Sequence, residues 1–311
     1  MAITTRPDIS TIEHEAYTNE IFASASENSV IMRLGTRLPN MASSITNMPI
    51  MSALPTAYFV DGETGGKKTT SAAWQNKQFN VGHIAVILPI AQAVIDDASV
   101  DIWSNIKPHL GAAVGKVFDA AALYGTNKPA VWPVGIVPDA VVKGKTVSLA
   151  EKENDLFVSV LGEGGLYSLL EDSGFDATSS IAHHTVKAKI RNTRTTVGEP
   201  LFMQALQGQY SLDGTPILFP KTGVIDPAQS LMVAGDWSQL VWAVRQDITY
   251  KILDQATIYD FSGETPTLMY ALAQQGMVAL MVTFRCAWQL PNPVNQLDGT
   301  ANRYPFAVLT A

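Results

Sequence analysis

The chain is poor in cysteine and in charge. Its single cysteine, Cys286, excludes an internal disulfide framework. Asp, Glu, Lys and Arg make up 16% of 311 residues, against about 25% in a typical soluble domain. So sparse a charge points to an outer surface covered largely by other protein. The net charge of −7 excludes a nucleic-acid binder that depends on a positive field. It leaves room for a protein that encloses nucleic acid without gripping it. No run of 18 apolar residues occurs, so no membrane-spanning helix is expected. The apolar stretch VGHIAVILPIAQAVI at 81–95 is interrupted by His83, Pro89 and Gln92. The start MAITTRPDIS has no basic segment followed by an apolar one, so no secretory signal is expected.

Catalytic and metal motifs are equally scarce. Gly144-Lys145-Thr146 ends like a phosphate-binding loop, but the position that needs the first glycine is Asp139. His14-Glu15 opens like a zinc-protease motif, but Thr18 stands where the second histidine belongs. There is no G-x-S-x-G turn. His183 and His184 are adjacent and so point in different directions, as a surface or interface pair does. Cys286 lies on the apolar face of a strand pattern, which reads as an inert buried thiol. No catalytic residue, cofactor or metal is expected.

With about 150 residues per domain, the length suggests roughly two domains. Residues 1–45 read either as an extended arm or as a frayed terminus. From about Pro55 to Asn80 the pattern is one long hairpin. DGETGGKKTTS at 61–71 forms its polar turn, and Ala72–Leu88 returns as a single strand. Each arm of about 12 residues reaches on the order of 40 Å. A two-stranded ribbon of that length is marginal alone in water, so it either folds back on its own domain or lies across a neighbour. Trp74 and Phe79 favour a covered surface. Lys67 and Lys68 at the tip read as a solvated charge pair or as partners for an acidic patch on another subunit.

The clearest helix spans Asp96–Tyr124, with Asp96, Asp97 and Ser99 as N-cap choices and Gly125 as C-cap. Trp103, Ile106, Leu110, Val114, Val117, Ala121 and Tyr124 recur at spacings of three and four and form the expected core stripe. Pro108 inside it predicts a kink or a later start. Helical segments are expected within 149–172, broken by GEGG at 162–165. Short buried strands are expected at Thr215–Phe219 and Leu231–Ala234. Val278, Leu280, Val282, Phe284, Cys286, Trp288 and Leu290 are apolar at period two, the strongest strand in the chain. Ile248–Phe261 is its expected antiparallel partner.

In this order the elements resemble the major capsid proteins of tailed bacteriophages, the Hong Kong 97 fold. AYFVDGETGG at 57–66 is similar to the family's extended loop. HIAVILPIAQAVIDDASVDIWSNIKPHLGAAVGKVFDAAALYGT at 83–126 resembles its strand and long spine helix, which ends in an acidic residue and Gly, here Asp119 and Gly125. PVGIV at 133–137, GEPLF at 198–202, GTPILF at 214–219, AGDWSQLVWAVRQDITYKI at 234–252 and MVALMVTFRCAWQLPNPVNQL at 277–297 resemble further family segments. The usual basic end of the last strand is reduced to Arg285.

The resemblance implies an α+β fold with an N-terminal arm at 1–45 and an extended-loop hairpin at 46–81. A peripheral domain would take 82–140 and 245–295, and an axial domain 141–244 and 296–311. It implies a structural shell protein of the virion, made in the host cytoplasm. That protein self-assembles as hexamers and pentamers into an icosahedral shell around double-stranded DNA, without membrane or sequence-specific DNA contact. Tyr58, Phe59, Asp61, Glu63, Lys67, Lys68 and Trp74 would make the inter-subunit contacts of the extended loop. The partners implied are other copies of the chain, a separate scaffolding protein, a portal and a decoration protein. Some family members join an extended-loop lysine to an asparagine covalently; Lys67, Lys68 or Lys77 with Asn292 or Asn295 would be the pairs here, and no residue-level match singles one out. The alternative within the same fold is an encapsulin-type compartment holding cargo enzymes.

Overall fold

The computed structural model describes residues 29–60, 65–97, 102–152, 154–194, 199, 201–202, 208, 210–261, 263 and 265–311, with backbone alone for 102–105 and 107. The chain divides into two compact units. One takes Met1–Arg33, Val81–Asp119 and Val244–Cys286, and the other takes Leu34–Asn80, Ala120–Ala243 and Ala287–Ala311. Tyr124, at the end of the long helix, hydrogen-bonds Ser230 at 2.7 Å inside the second unit.

In the first unit the helix α1 (Val30–Leu34) precedes the strand β4 (Gly82–Ala91). Strands β1 (Thr36–Arg37), β2 (Ile45–Ala53) and β3 (Ala73–Asn80) belong to the second unit. The expected single strand at 72–88 is thus two, β3 and β4, broken at Val81. A short helix α2 (Gln92–Asp96) follows, then the long helix α3 (Ile102–Tyr124). The expected cap residues Asp96 and Asp97 close α2 instead, and Ser99 lies outside the described residues. Pro108 sits inside α3 at an exposed position.

The strongest sequence pattern becomes β13 (Met277–Gln289), antiparallel to β4 in the register Phe284↔Ile84 and Val282↔Val86. From Leu280 to Cys286, alternate residues are buried, as period-two geometry requires. β10 (Val241–Leu253) neighbours β13 on its other side, and Thr249 and Thr283 share a 2.7 Å hydroxyl hydrogen bond. β4 ends the strand order, which is where Pro89, lacking an N–H, is tolerated. Strands β11 (Thr257–Asp260) and β12 (Thr267–Ala271) form a separate hairpin.

The second unit is built on a six-stranded mixed sheet of order β5-β14-β9-β6-β8-β7. Its strands are β5 (Thr146–Ser148), β6 (Ser179–Ala182), β7 (Ser211–Leu212), β8 (Thr215–Leu218), β9 (Met232–Gly235) and β14 (Phe306–Thr310). Helices α4 (Ile136–Val142), α5 (Leu156–Leu161), α6 (Leu166–Glu171) and α7 (Val186–Asn192) also belong to it. Leu156, Val160, Leu166, Leu170, Ile190, Met232 and Leu309 share one core. Asp155 caps α5 by accepting a 2.9 Å bond from the Phe157 amide, as N-cap carboxylates do.

Two glycines explain one sequence segment. Gly125 leaves α3 at φ +72°, a conformation that disfavours side chains, and a Cβ on Gly135 would lie 2.5 Å from the Gly125 amide nitrogen. The loop PVGIV therefore returns against the helix end with no room for a larger residue.

The stripe of α3 needs one correction. Leu110, Val114 and Ala121 are buried and Ile106 is half-buried, but Val117 is 45% exposed. Trp103 falls among the residues described by backbone alone. The buried face runs through Leu110, Gly111, Val114, Gly115, Phe118, Asp119 and Ala122. Its centre is occupied by glycines and a carboxylate, which carry no hydrophobic signal, so the visible apolar residues bias the stripe toward one edge. Val117→Asp is expected to leave denaturant stability within about 0.5 kcal/mol of the parent. Phe118→Asp puts an unpaired charge in the core and is expected to yield no folded chain. Circular dichroism and urea melts of both variants separate these outcomes.

Candidate interaction surface

Strands β2 and β3 pair antiparallel, with Met48 opposite Lys77 and Thr46 opposite Phe79. Nine residues of β2 at about 3.3 Å each span about 30 Å. The ribbon has no inside: of its two strands only Phe79 is fully buried, and most other residues are exposed. Beyond the last strand pair the arms stay side by side. The Thr56 amide donates to Thr70 Oγ1 at 3.0 Å, and the Tyr58 hydroxyl donates to the Lys68 carbonyl. Lys68 Nζ lies 5.9 Å from the centre of the Tyr58 ring. Lys67 is exposed, Phe59 is completely exposed and Trp74 is 66% exposed. Asp61 and Glu63 lie outside the described residues.

The root of the ribbon, by contrast, is pinned. Trp132 Nε1 donates to the Asn80 carbonyl at 2.9 Å, and Asn80 Nδ2 donates to the Val131 carbonyl at 3.2 Å. Gln289 Nε2 donates to the Gln78 carbonyl at 2.9 Å. Trp132 meets Trp288 edge-on, 6.5 Å between ring centres. One end is therefore rigidly held while the other presents bare aromatics to water.

Asp119, on α3, has a structural role that its sequence position did not reveal. It is fully buried and accepts from Ser29 Oγ at 2.6 Å, the Val30 amide at 2.8 Å and the Ile31 amide at 3.2 Å. These are the first donors of α1, so a carboxylate from a distant helix caps it. Burial pushes its pKa up to about 6; the three hydrogen bonds and the Arg33 charge pull the other way. The only sequence signal was its place near the end of a helix of the resembled family. Cys286 is buried, and burial pushes its thiol pKa up, which suppresses the thiolate. Tyr304, buried beside Asp139, is likewise held above its ordinary value. Among the described residues no cluster of three metal-ligating side chains forms.

The ribbon, held at its root and exposed beyond it, stands beside a long helix, a four-stranded sheet and a six-stranded sheet. The chain belongs to the phage capsid family, which it matches over residues 11–294. It is 26% identical over 274 residues to the major capsid protein of Staphylococcus phage 80alpha, covering 87% of this chain and 79% of that one. A solved structure from Mycobacterium phage Cain is 29% identical at a TM-score of 0.74, covering 99% of this chain and 98% of the other. One from Microbacterium phage Oxtober96 is 28% identical at the same TM-score, covering 91% of each. The fold is the α+β Hong Kong 97-like capsid fold, and the protein is a structural component of the phage capsid.

The raised pKa of Asp119 has a definite sign. Its folded value lies above the unfolded one, so folding favours the neutral acid. That contribution is fully present below about 3.8 and is lost as pH rises through about 6. A shift of about two units corresponds to about 3 kcal/mol. Urea melts from pH 4 to pH 7 are expected to show a fall in stability across this window. Asp119→Asn should abolish the fall while lowering stability throughout, because its one carbonyl oxygen cannot accept all three bonds and its NH2 group is a donor set against another donor.

Proposed function

We propose that this chain is the repeating shell subunit, assembling as hexamers and pentamers into a closed icosahedral particle around double-stranded DNA. The observation that carries the reading is the β2–β3 ribbon, bare on both faces and tipped by Phe59. A two-stranded ribbon does not hold its shape alone in water. Laid across the adjacent subunit it buries Phe59 and Trp74, each contributing about 2–3 kcal/mol. On this reading Tyr58, Phe59, Lys67, Lys68 and Trp74 are inter-subunit contacts, joined by Asp61 and Glu63. The first unit, with its long helix, corresponds to a peripheral domain, and the six-stranded unit to an axial domain around each capsomer centre. The net charge of −7 suits a wall that must not hold its packed genome by counterion release. A scaffolding protein, a portal and a decoration protein are the further partners the reading calls for.

Deleting 61–71 removes the turn beyond Phe59 and, among the described residues, no buried one. The variant is expected to fold with parental circular dichroism and to form no shells by negative-stain electron microscopy and light scattering, where the full chain forms closed particles. Normal shells from the deletion variant would overturn the role given to the ribbon.

A further inference from the structure

A cavity of about 270 Å³ lies beside the root of the ribbon, and every residue lining it belongs to the second unit. Lys77 reaches it from β3, Asp139 and Lys143 from the end of α4, and Trp288 and Gln289 from β13. Asn292 and Tyr304, from the segment after β13, complete its polar lining.

Most of these groups are already spent. Gln289 Nε2 donates to the Gln78 carbonyl at 2.9 Å, and its Oε1 accepts from the Leu290 amide at 3.0 Å. Asn292 Nδ2 donates to the Arg303 carbonyl at 2.8 Å, and its Oδ1 accepts from Arg303 Nε at 3.3 Å. The Tyr304 hydroxyl donates to the Ile136 carbonyl at 3.2 Å. Asp139 and Lys143 pair with each other at 3.5 Å.

Two groups are left over. Trp288 is 1% exposed, and its buried Nε1–H meets no acceptor among the described residues. A buried donor left unmade is costly, and native interiors seldom carry one. Lys77 is half-buried and forms no ion pair among the described residues. Both leftovers are donors, and one is a full positive charge. Two lysines stand here against one carboxylate, in a chain whose net charge is −7. The cavity is short of an acceptor that carries negative charge. A water molecule would satisfy Trp288 but not Lys77, and the volume is several times the share of one water, about 30 Å³.

We propose that this cavity binds a small oxyanion, a carboxylate or a phosphate, whose oxygens accept from Trp288 Nε1 and Lys77 Nζ. Charge-assisted bonds of this kind are the strong ones. The anion joins the ribbon strand β3 to β13, next to the bond from Gln289 to Gln78 that already holds that strand. Lys143 adds its field while staying paired with Asp139. The site is complete within one copy and does not rest on the shell reading.

The test is isothermal titration calorimetry of the full chain with sodium phosphate and, separately, sodium acetate, at an ionic strength held constant with sodium chloride. The parent is expected to bind one anion per chain. Lys77→Met and Trp288→Phe are expected to weaken that binding about tenfold or more, and Lys77→Glu to abolish it. The two Lys77 variants change no fully buried side chain, are expected to keep the parental circular dichroism, and decide the matter if Trp288→Phe does not fold. Tighter binding of phosphate identifies a phosphate site and tighter binding of acetate a carboxylate site; either result supports the proposal. A parent that binds neither anion would overturn it and leave the cavity to water. Equal affinity in the parent and both Lys77 variants would also overturn it, because the anion then sits elsewhere.

Discussion

A ribbon of two strands has no interior, and that constraint organises the rest of the molecule. The strand pair can satisfy its backbone hydrogen bonds but cannot hide either face. Within the chain the ribbon is held at its root by Trp132, Asn80 and Gln289, and farther out the Met51 carbonyl accepts from the Val294 amide at 3.4 Å. Among the described residues the outer arms are joined by local bonds, which hold them side by side and leave Phe59 uncovered. On the proposed reading, a neighbouring copy of the chain supplies the ribbon's resting place. The low charge of the chain is consistent with this, since surfaces meant to meet protein need little hydration.

Rigid support for such a projection comes from conventional packing. The six-stranded sheet and its helices make a dry core around Leu166, Met232 and Leu309. β13 is sealed by alternate burial of Leu280, Val282, Phe284 and Cys286. Close approaches such as Gly135 to Gly125 set the loop that carries Trp132, and Trp132 in turn holds the ribbon. A steric constraint at a helix end thus reaches the interaction surface through one loop of ten residues or so.

Elements whose signal is local could be read from residues alone. β13 announced itself by period-two burial, Gly125 by its place after the helix, and the ribbon by a polar glycine-rich turn between apolar arms. What was missed depended on long-range partners. The buried face of α3 centres on Gly111, Gly115 and Asp119, residues that look like surface or spacer in a hydrophobicity pattern. Phe118 therefore went unremarked while Val117 was assigned inward. The start of α3 was placed too early because Asp96 and Asp97 serve a separate short helix. The break at Val81 lies between two strands that use different partners, β2 and β13, and pairing partners are invisible in composition.

The contact of Ser29, Val30 and Ile31 with Asp119 joins residues about ninety positions apart. Ribosomes add about 5–20 residues each second. The first turn of α1 is therefore made several seconds before its capping carboxylate exists. During that interval the two amides have only water as acceptor. The order of synthesis thus separates the chain's life into an unanchored phase and an anchored one, with a single side chain marking the change.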